Sequence, residues 1–239
     1  MRLKRIAQDL WTVEHEHFAF GIHFPGRMTV VRLPDGHLWL CSPVPIDASL
    51  AAELAELGPV RWLVAPNRFH HIHLEAVIQR YPDAQLLGAP GLPEKRKDLS
   101  FDATLDGALP TSWAGVFEAQ VLDGAPALNE VVFFHRPSGT LVTTDLFMNV
   151  HETKGALSKF VYWAEGCWRR PRVPRLFSLI TKDKARMKAA AEELVKWPIG
   201  RVILAHGAIV EDHAEAVVAE EMKRAFGVEP LPQGAAHVA

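Results

Sequence analysis

The segment Arg61-Trp-Leu-Val-Ala65-Pro66-Asn67-Arg68-Phe69-His70-His71-Ile72-His73 joins a short β-prone run to a turn with three histidines. Apolar residues then recur at helical spacing over residues 74–81, and residues 84–88 form another β-prone run. Strands that alternate with helices are typical of a layered α/β domain, whose strand ends bring polar side chains to one edge of a sheet. This stretch therefore predicts an α/β fold class. It also indicates that a functional site lies at the end of the strand that precedes these histidines.

Further elements are predicted on both sides of this stretch. Turn signals predict two hairpins, residues 28–33 with 37–42 and residues 130–135 with 140–144. Apolar periodicity predicts helices at about residues 50–57, 187–195 and 214–226, and a strand over residues 201–205. Residues 151–180 show no clear pattern. With no linker and no short repeat, we expect a single domain over residues 1–230 and a flexible tail over residues 231–239.

Composition restricts the class of protein. The chain has 239 residues, of which 49% are hydrophobic and 23% charged, as expected of a globular protein with a sizeable core. Its net charge of -2 argues against a nucleic-acid partner, and no apolar run has membrane-spanning length. Two cysteines are too few for a disulfide framework or a thiolate zinc site. We expect a cytoplasmic protein, and its twelve histidines are the first indication of function.

Residues able to bind a metal follow three predicted strands. They are the histidines of residues 67–73, Asp145 after residues 140–144, and His206 after residues 201–205. Imidazole and carboxylate donors suit zinc or iron, whereas calcium and magnesium prefer clusters of oxygen ligands that this sequence lacks. The three strand ends together predict a transition-metal site.

The order of these residues resembles the metallo-β-lactamase superfamily over about residues 28–226. That family's motif His-x-His-x-Asp-His follows a strand and opens a helix, as residues 66–71 do here. Its bridging aspartate ends a late hairpin, as Asp145 does, and its last histidine begins a step like His206-Gly207. The sequence of residues 28–33, 65–71 and 129–135 resembles an uncharacterised branch of this superfamily, a domain of unknown function. The resemblance implies a four-layer αββα sandwich.

Departures from the family pattern remove one of its two metal sites. Pro66 and Arg68 stand where the motif has its first two histidines, and residues 121–128 lack the third. The second metal site keeps its full number of candidate ligands. The resemblance thus implies one divalent transition metal, with zinc favoured and iron or manganese as alternatives, held by His70, His71, Asp145 and His206.

Several histidines have alternative interpretations. Successive residues of a helix diverge by about 100°, so His70 is either a ligand or a residue that supports one. His73 is another candidate, although two residues beyond His71 on a helix it would point away. His15, His17 and His23 alternate in a β-like run and are expected on one face, with a second metal there as the alternative.

The function implied is that of a metal-dependent hydrolase acting on a small-molecule substrate, with the metal activating water and polarising a carbonyl or phosphoryl oxygen. Arg68 would offer its guanidinium to an anionic substrate, or would instead face solvent or a surface acid. The competing class is a non-catalytic binding or scaffold protein with a structural metal or none. Four protein ligands would close the site, whereas an open position permits catalysis.

Overall fold

The computed structural model describes residues 2–229, which form a seven-stranded sheet, a four-stranded sheet and a two-stranded pair, together with seven α-helices. The strands are β1 (Leu3–Ala7), β2 (Leu10–Ala19), β3 (Ile22–Arg32), β4 (Leu38–Cys41), β5 (Val60–Ala65), β6 (Gln85–Gly88), β7 (Ala103–Thr104), β8 (Phe117–Leu122), β9 (Glu130–His135), β10 (Thr140–Val142), β11 (Met148–Asn149), β12 (Arg201–Ile203) and β13 (His206–Gly207). The helices are α1 (Ala48–Leu57), α2 (Leu74–Arg80), α3 (Leu92–Lys95), α4 (Ala156–Glu165), α5 (Arg175–Ile180), α6 (Lys184–Leu194) and α7 (Ala214–Phe226). Two 3₁₀ helices lie at Thr111–Trp113 and Arg136–Ser138.

The large sheet has the order β1-β2-β3-β4-β5-β6-β7. Its first four strands are antiparallel to one another, and β4 to β7 run parallel. The hairpin predicted on either side of Pro34-Asp35-Gly36 is confirmed, with Val30 opposite Leu40. The strand–helix–strand segment β5-α2-β6 is confirmed as well. Strand β5 therefore ends in the part of this sheet whose strands run parallel.

The small sheet has the order β12-β10-β9-β8. The second predicted hairpin is confirmed, because β9 and β10 pair antiparallel with Leu141 opposite Phe134. Strand β12 pairs parallel to β10, so both strands end at the same edge. Beyond that edge β11 pairs with β13, which places His206 opposite Met148.

Three separate hydrophobic cores divide the molecule into layers, because neighbouring residues of a strand face opposite sides of its sheet. In β3, Val30 packs against α1 and α2, and Val31 packs between the two sheets. In β9, Phe133 lies between the sheets, and Phe134 packs towards α6 and α7. Helices, large sheet, small sheet and helices therefore follow one another, which confirms the four-layer αββα sandwich.

Residues 151–180, which gave no clear pattern, contain α4 and α5. Helix α4 rests on β3, where the Tyr162 hydroxyl donates to the carbonyl of His23 at 2.8 Å and the His23 amide donates to Ser158 Oγ at 2.9 Å. His23 is thereby buried under α4, apart from His15 and His17. No helix within residues 2–229 has the length and apolar character needed to cross a membrane. The tail predicted over residues 231–239 lies outside the described residues.

Candidate metal centre

Three of the four predicted ligands meet at the strand ends. His70 follows β5, Asp145 follows β10, and His206 opens β13 after β12. Each offers a ligand atom, and these three atoms lie within 4.8 Å of one another. Nε2 of His70 is 3.4 Å from Asp145 Oδ2, and Nε2 of His206 is 3.2 Å from Asp145 Oδ1. Two imidazoles therefore face one carboxylate.

Hydrogen bonds at the far side of each ring fix this orientation. Nδ1 of His206 donates to the carbonyl of Pro25 at 2.9 Å, and since a carbonyl only accepts, Nδ1 carries the proton. Nδ1 of His70 lies 2.6 Å from Oγ of Ser42, just after β4. Histidine ligands of metals are usually held by such a contact through the other ring nitrogen. The arrangement leaves both Nε2 atoms directed at Asp145.

Asn67 connects two of these residues through one buried side chain. Its amide donates to Asp145 Oδ2 at 2.7 Å and to Thr144 Oγ1 at 2.9 Å. Its Oδ1 accepts from the backbone amides of Phe69 at 2.8 Å and His70 at 2.9 Å, which is the Asx-turn pattern. The loop after β5 and the loop after β10 are thus held together at the site.

Glu130, at the start of β9, holds the Asp145 loop from below. Its buried carboxylate accepts from the backbone amides of Thr144 at 2.6 Å, Asp145 at 2.9 Å and Leu146 at 2.8 Å. Burial and the charge of Asp145 raise the pKa of Glu130 above its usual range, although the backbone donors oppose this shift. The sequence analysis missed this role. The available signal was an acidic residue opening a strand that is otherwise apolar up to His135.

The donor set fits a transition metal. Burial disfavours the charge of Asp145, but His70 and His206 outweigh that effect and hold its pKa below its usual range. An ionised carboxylate with two imidazoles is a common ligand set for zinc, and it also suits iron. Within residues 2–229 the group has these three members, so a tetrahedral ion bound here would keep one position for another ligand.

That position faces a cavity of about 370 Å³. His70, Asp145 and His206 are among its lining residues, and its walls are largely apolar. Prominent among the apolar lining residues are Phe24, Phe69, Leu128, Met148, Leu176 and Phe177. Arg27 also lines the cavity, but its guanidinium donates to the Leu204 carbonyl at 2.5 Å and to Glu14 at 3.0 Å. The cavity therefore favours an occupant that is apolar over most of its surface.

His71 is not brought to this group, which corrects the predicted ligand set. Its Nδ1 accepts from Arg96 Nη1 at 2.9 Å, and Arg96 Nη1 also donates to the His71 carbonyl at 3.2 Å. The physical reason is the backbone: residues 67–73 form turns and α2 begins only at Leu74, so His70 and His71 project in different directions.

Arg68 also lies elsewhere than expected. Its Nη1 donates to the Pro126 carbonyl at 2.7 Å, and its side chain covers Gly91, where an added Cβ would lie 3.4 Å from Nε. Among the described residues that line the cavity, Arg68 does not occur. Of the two alternatives for Arg68, this geometry does not favour contact with an anionic substrate in the cavity.

A second group of histidines lies on another wall of the same cavity. His15 and His17 of β2 and His73, just before α2, offer ring nitrogens that lie within 4.8 Å of one another. The sequence analysis expected His15, His17 and His23 on one face, but His23 is buried under α4 and His73 takes its place beside the other two. Burial, followed by the neighbouring His15 and His17, lowers the pKa of His73 to about 4.

The layers and the strand-end site together define a protein of the metallo-β-lactamase fold. Residues 7–165, more than half of the chain, match the family model described as Domain of unknown function (DUF4336). The chain belongs to that family. No curated protein matches the sequence.

Solved structures show the same fold at low sequence identity. A metallo-β-lactamase from Pontibacter korlensis superposes with a TM-score of 0.62 and 14% identity, covering 93% of this chain and 98% of that one. The flavodiiron core of Flv1 from Synechocystis gives a TM-score of 0.64 and 11% identity, covering 95% of this chain and 60% of that one. The metallo-β-lactamase FIM-1 from Pseudomonas aeruginosa, in its mono-zinc form, gives 0.55 and 14%, covering 94% and 96%.

Proposed function

We propose that the protein is a metal-dependent hydrolase whose reaction takes place at His70, Asp145 and His206. The observation that carries this proposal is a group of three candidate ligands that line a largely apolar cavity. Structural zinc sites are closed by four protein ligands, whereas catalytic sites commonly use three and keep one position for water or substrate. Within the described residues, this group has three ligands, as catalytic sites commonly do.

Zinc is the proposed metal, held by Nε2 of each histidine and a carboxylate oxygen of Asp145. When bound there, the ion supplies Lewis acidity, which polarises a carbonyl or phosphoryl oxygen and lowers the pKa of water. The mono-zinc form of the Pseudomonas aeruginosa protein shows that this fold accommodates a single zinc ion. Iron remains the alternative, because two imidazoles and a carboxylate also suit that metal.

The protein's own residues position the substrate and the ligands. Phe24, Leu128 and Phe177 provide apolar walls that hold a hydrocarbon part of the substrate and reduce the access of water to the three ligands. Asn67 and Glu130 keep the Asp145 carboxylate in place between the two imidazoles. Because Arg27 is paired with Glu14 and Arg68 lies elsewhere, we propose a small substrate with an apolar substituent next to its hydrolysable group, rather than an anionic one.

The test is hydrolysis by the zinc-loaded chain of chromogenic carboxylic esters with short and long acyl chains and of a chromogenic phosphodiester. We expect turnover that favours the longer acyl chains. Both His206→Ala and Asp145→Asn should lower kcat/KM by at least about 100-fold, since each removes a ligand. His213→Asn, an exposed histidine just before α7, is the matched control and should leave turnover unchanged.

Equal turnover by the wild type and by both ligand variants would contradict the proposal. Binding of the esters in the cavity without hydrolysis by the zinc-loaded chain would instead support the competing class, a non-catalytic binding protein.

A further inference from the structure

His15, His17 and His73 converge on one point of the cavity wall, although the chain brings them there from two different elements. His15 and His17 are two residues apart in β2, so their side chains leave the same face of the sheet, opposite Gly26 and Phe24 of β3. His73 occupies the residue that precedes α2. Its ring centroid lies 5.2 Å from that of His15 and 5.9 Å from that of His17.

These imidazoles have no other hydrogen-bonding role among the described residues. His73 stands at an N-cap position, where Ser, Thr, Asp or Asn would accept from the helix, yet its side chain makes no capping hydrogen bond. Within residues 2–229, no hydrogen bond reaches a ring nitrogen of His15, His17 or His73, and the rings meet edge to face at 86–87°. By contrast, Nδ1 of His71 is bonded to Arg96 and Nδ1 of His135 to Ser138.

We propose that His15, His17 and His73 form a second transition-metal site, separate from the site at Asp145. Three imidazoles are a known ligand set for zinc and also suit copper and nickel. Nitrogens at 2.0–2.1 Å from a tetrahedral ion are about 3.3 Å apart, so the present separations of up to 4.8 Å must shrink. The three side chains are partly exposed, which leaves them room to rotate, and such a rotation would break no existing hydrogen bond among the described residues.

The two sites share a cavity but no ligand, so this inference does not rest on the proposed hydrolase activity. The second set is neutral and lacks partners at its outer ring nitrogens, whereas the first includes a carboxylate and has both rings held by hydrogen bonds. Such outer contacts strengthen metal binding by about 10- to 100-fold. A chelator should therefore remove the ion at His15, His17 and His73 first.

The experiment is equilibrium dialysis of the full-length, metal-free chain against Zn²⁺, followed by elemental analysis. Four proteins are compared: the wild type, His15→Ala/His17→Ala, His206→Ala and the control His213→Asn. We expect two ions per chain in the wild type and in the control, and one in each of the other two variants. Dialysis against Co²⁺ with visible absorption provides a second readout, in which the double variant loses one of two overlapping spectra.

The near-ultraviolet circular dichroism of the metal-free double variant checks that it is folded, and His73→Ala provides an independent removal of the site. If folded His15→Ala/His17→Ala and His73→Ala both bind as many ions as the wild type, the second site is overturned. If instead His206→Ala retains every ion while these variants lose one, the second site stands and the site at Asp145 fails.

Discussion

At the scale of single residues, Asn67 shows why an amide is required next to the proposed metal. Its nitrogen donates to Asp145 and Thr144, while its oxygen accepts from the backbone at Phe69 and His70. A carboxylate at this position could only accept, and it would repel Asp145. A hydroxyl would be too short to bridge the two loops. The amide thus serves both loops at once.

Replacement of Asn67 by Ala should therefore weaken both folding and metal binding. Four hydrogen bonds of a fully buried side chain are lost, so we expect the free energy of unfolding to fall by about 2–4 kcal/mol. Urea denaturation of the metal-free protein measures the first effect, and zinc dialysis measures the second. A loss below about 0.5 kcal/mol, in the range of a surface substitution, would contradict this role.

His135 predicts a pH dependence that is independent of the metal site. Burial lowers its pKa from 6.5 to about 4, with Asp9 opposing, while Nδ1 contacts Ser138 Oγ at 2.7 Å. Between those two values the unfolded chain binds a proton that the folded chain does not, so stability falls as the pH decreases from about 6.5 to 4. At pH 5 the loss is about 2 kcal/mol relative to neutral pH.

The measurement is the free energy of unfolding at pH 7 and pH 5 for the wild type and for His135→Gln. The variant cannot take up the proton, so its loss between the two values should be smaller by about 2 kcal/mol. The same pH dependence in both proteins would exclude His135 as its source.

At the scale of elements, β9 and the loop after β10 behave as one unit because Glu130 accepts three consecutive backbone amides of that loop. Both carboxylate oxygens are needed, one for Thr144 and the other for Asp145 and Leu146. The position of the Asp145 side chain depends on the position of its backbone, which Glu130 holds. The position of this proposed ligand therefore depends on a residue that does not touch the cavity.

Glu130→Gln tests this dependence with little change in size. Its amide nitrogen cannot accept, so at least one buried backbone donor is left unpaired, at a cost of about 1–3 kcal/mol in the free energy of unfolding. Zinc affinity should fall as well, by about 10-fold or more, since the loop carries Asp145. Chemical denaturation and zinc dialysis measure the two effects. Wild-type zinc affinity in this variant would show that Asp145 is positioned without Glu130.

Elements with local signals were predictable from the sequence, and those formed by distant contacts were not. The hairpins β3–β4 and β9–β10 have β-prone runs around turn residues, and α7 has apolar periodicity. Helix α4 is held by Ser158 and Tyr162 against His23, far away in the chain, and no periodicity records that contact.

The grouping of the candidate site residues was predictable in part. Strand ends indicated Asp145 and His206, because β10 and β12 run parallel to the same edge. Both His70 and His71 were predicted as ligands. Only His70 lies in the group with Asp145 and His206, and this depends on the backbone path through the turn before α2, which residue spacing does not encode. The approach of His73 to His15 likewise depends on how α2 packs beside β2.

At the scale of the whole molecule, the Asp145 site joins the two sheets. His70 follows β5 of the large sheet, whereas Asp145 and His206 follow β10 and β12 of the small one. The core between the sheets, which contains Trp39 and Phe133, fixes the two sheets relative to each other. The unfolded chain has no such convergence of ligands, so an ion bound at this site favours the folded state.

Thermal stability should therefore rise with zinc. A free zinc concentration about 100-fold above Kd stabilises the folded chain by about 2.7 kcal/mol, which raises Tm by about 5–10 °C in a protein of this size. When both proteins also carry His15→Ala/His17→Ala, which removes the second proposed zinc site, His206→Ala should lose most of this rise. Calorimetry with and without zinc measures it, and an equal rise in both proteins would separate the stabilisation from this site.

The most direct test of the central claim is anomalous diffraction at the zinc absorption edge from crystals of the zinc-loaded protein. We predict a peak about 2.0–2.2 Å from Nε2 of His70, Nε2 of His206 and a carboxylate oxygen of Asp145. The account would be contradicted if the zinc bound at His71 instead, or if no anomalous peak lay among these three side chains.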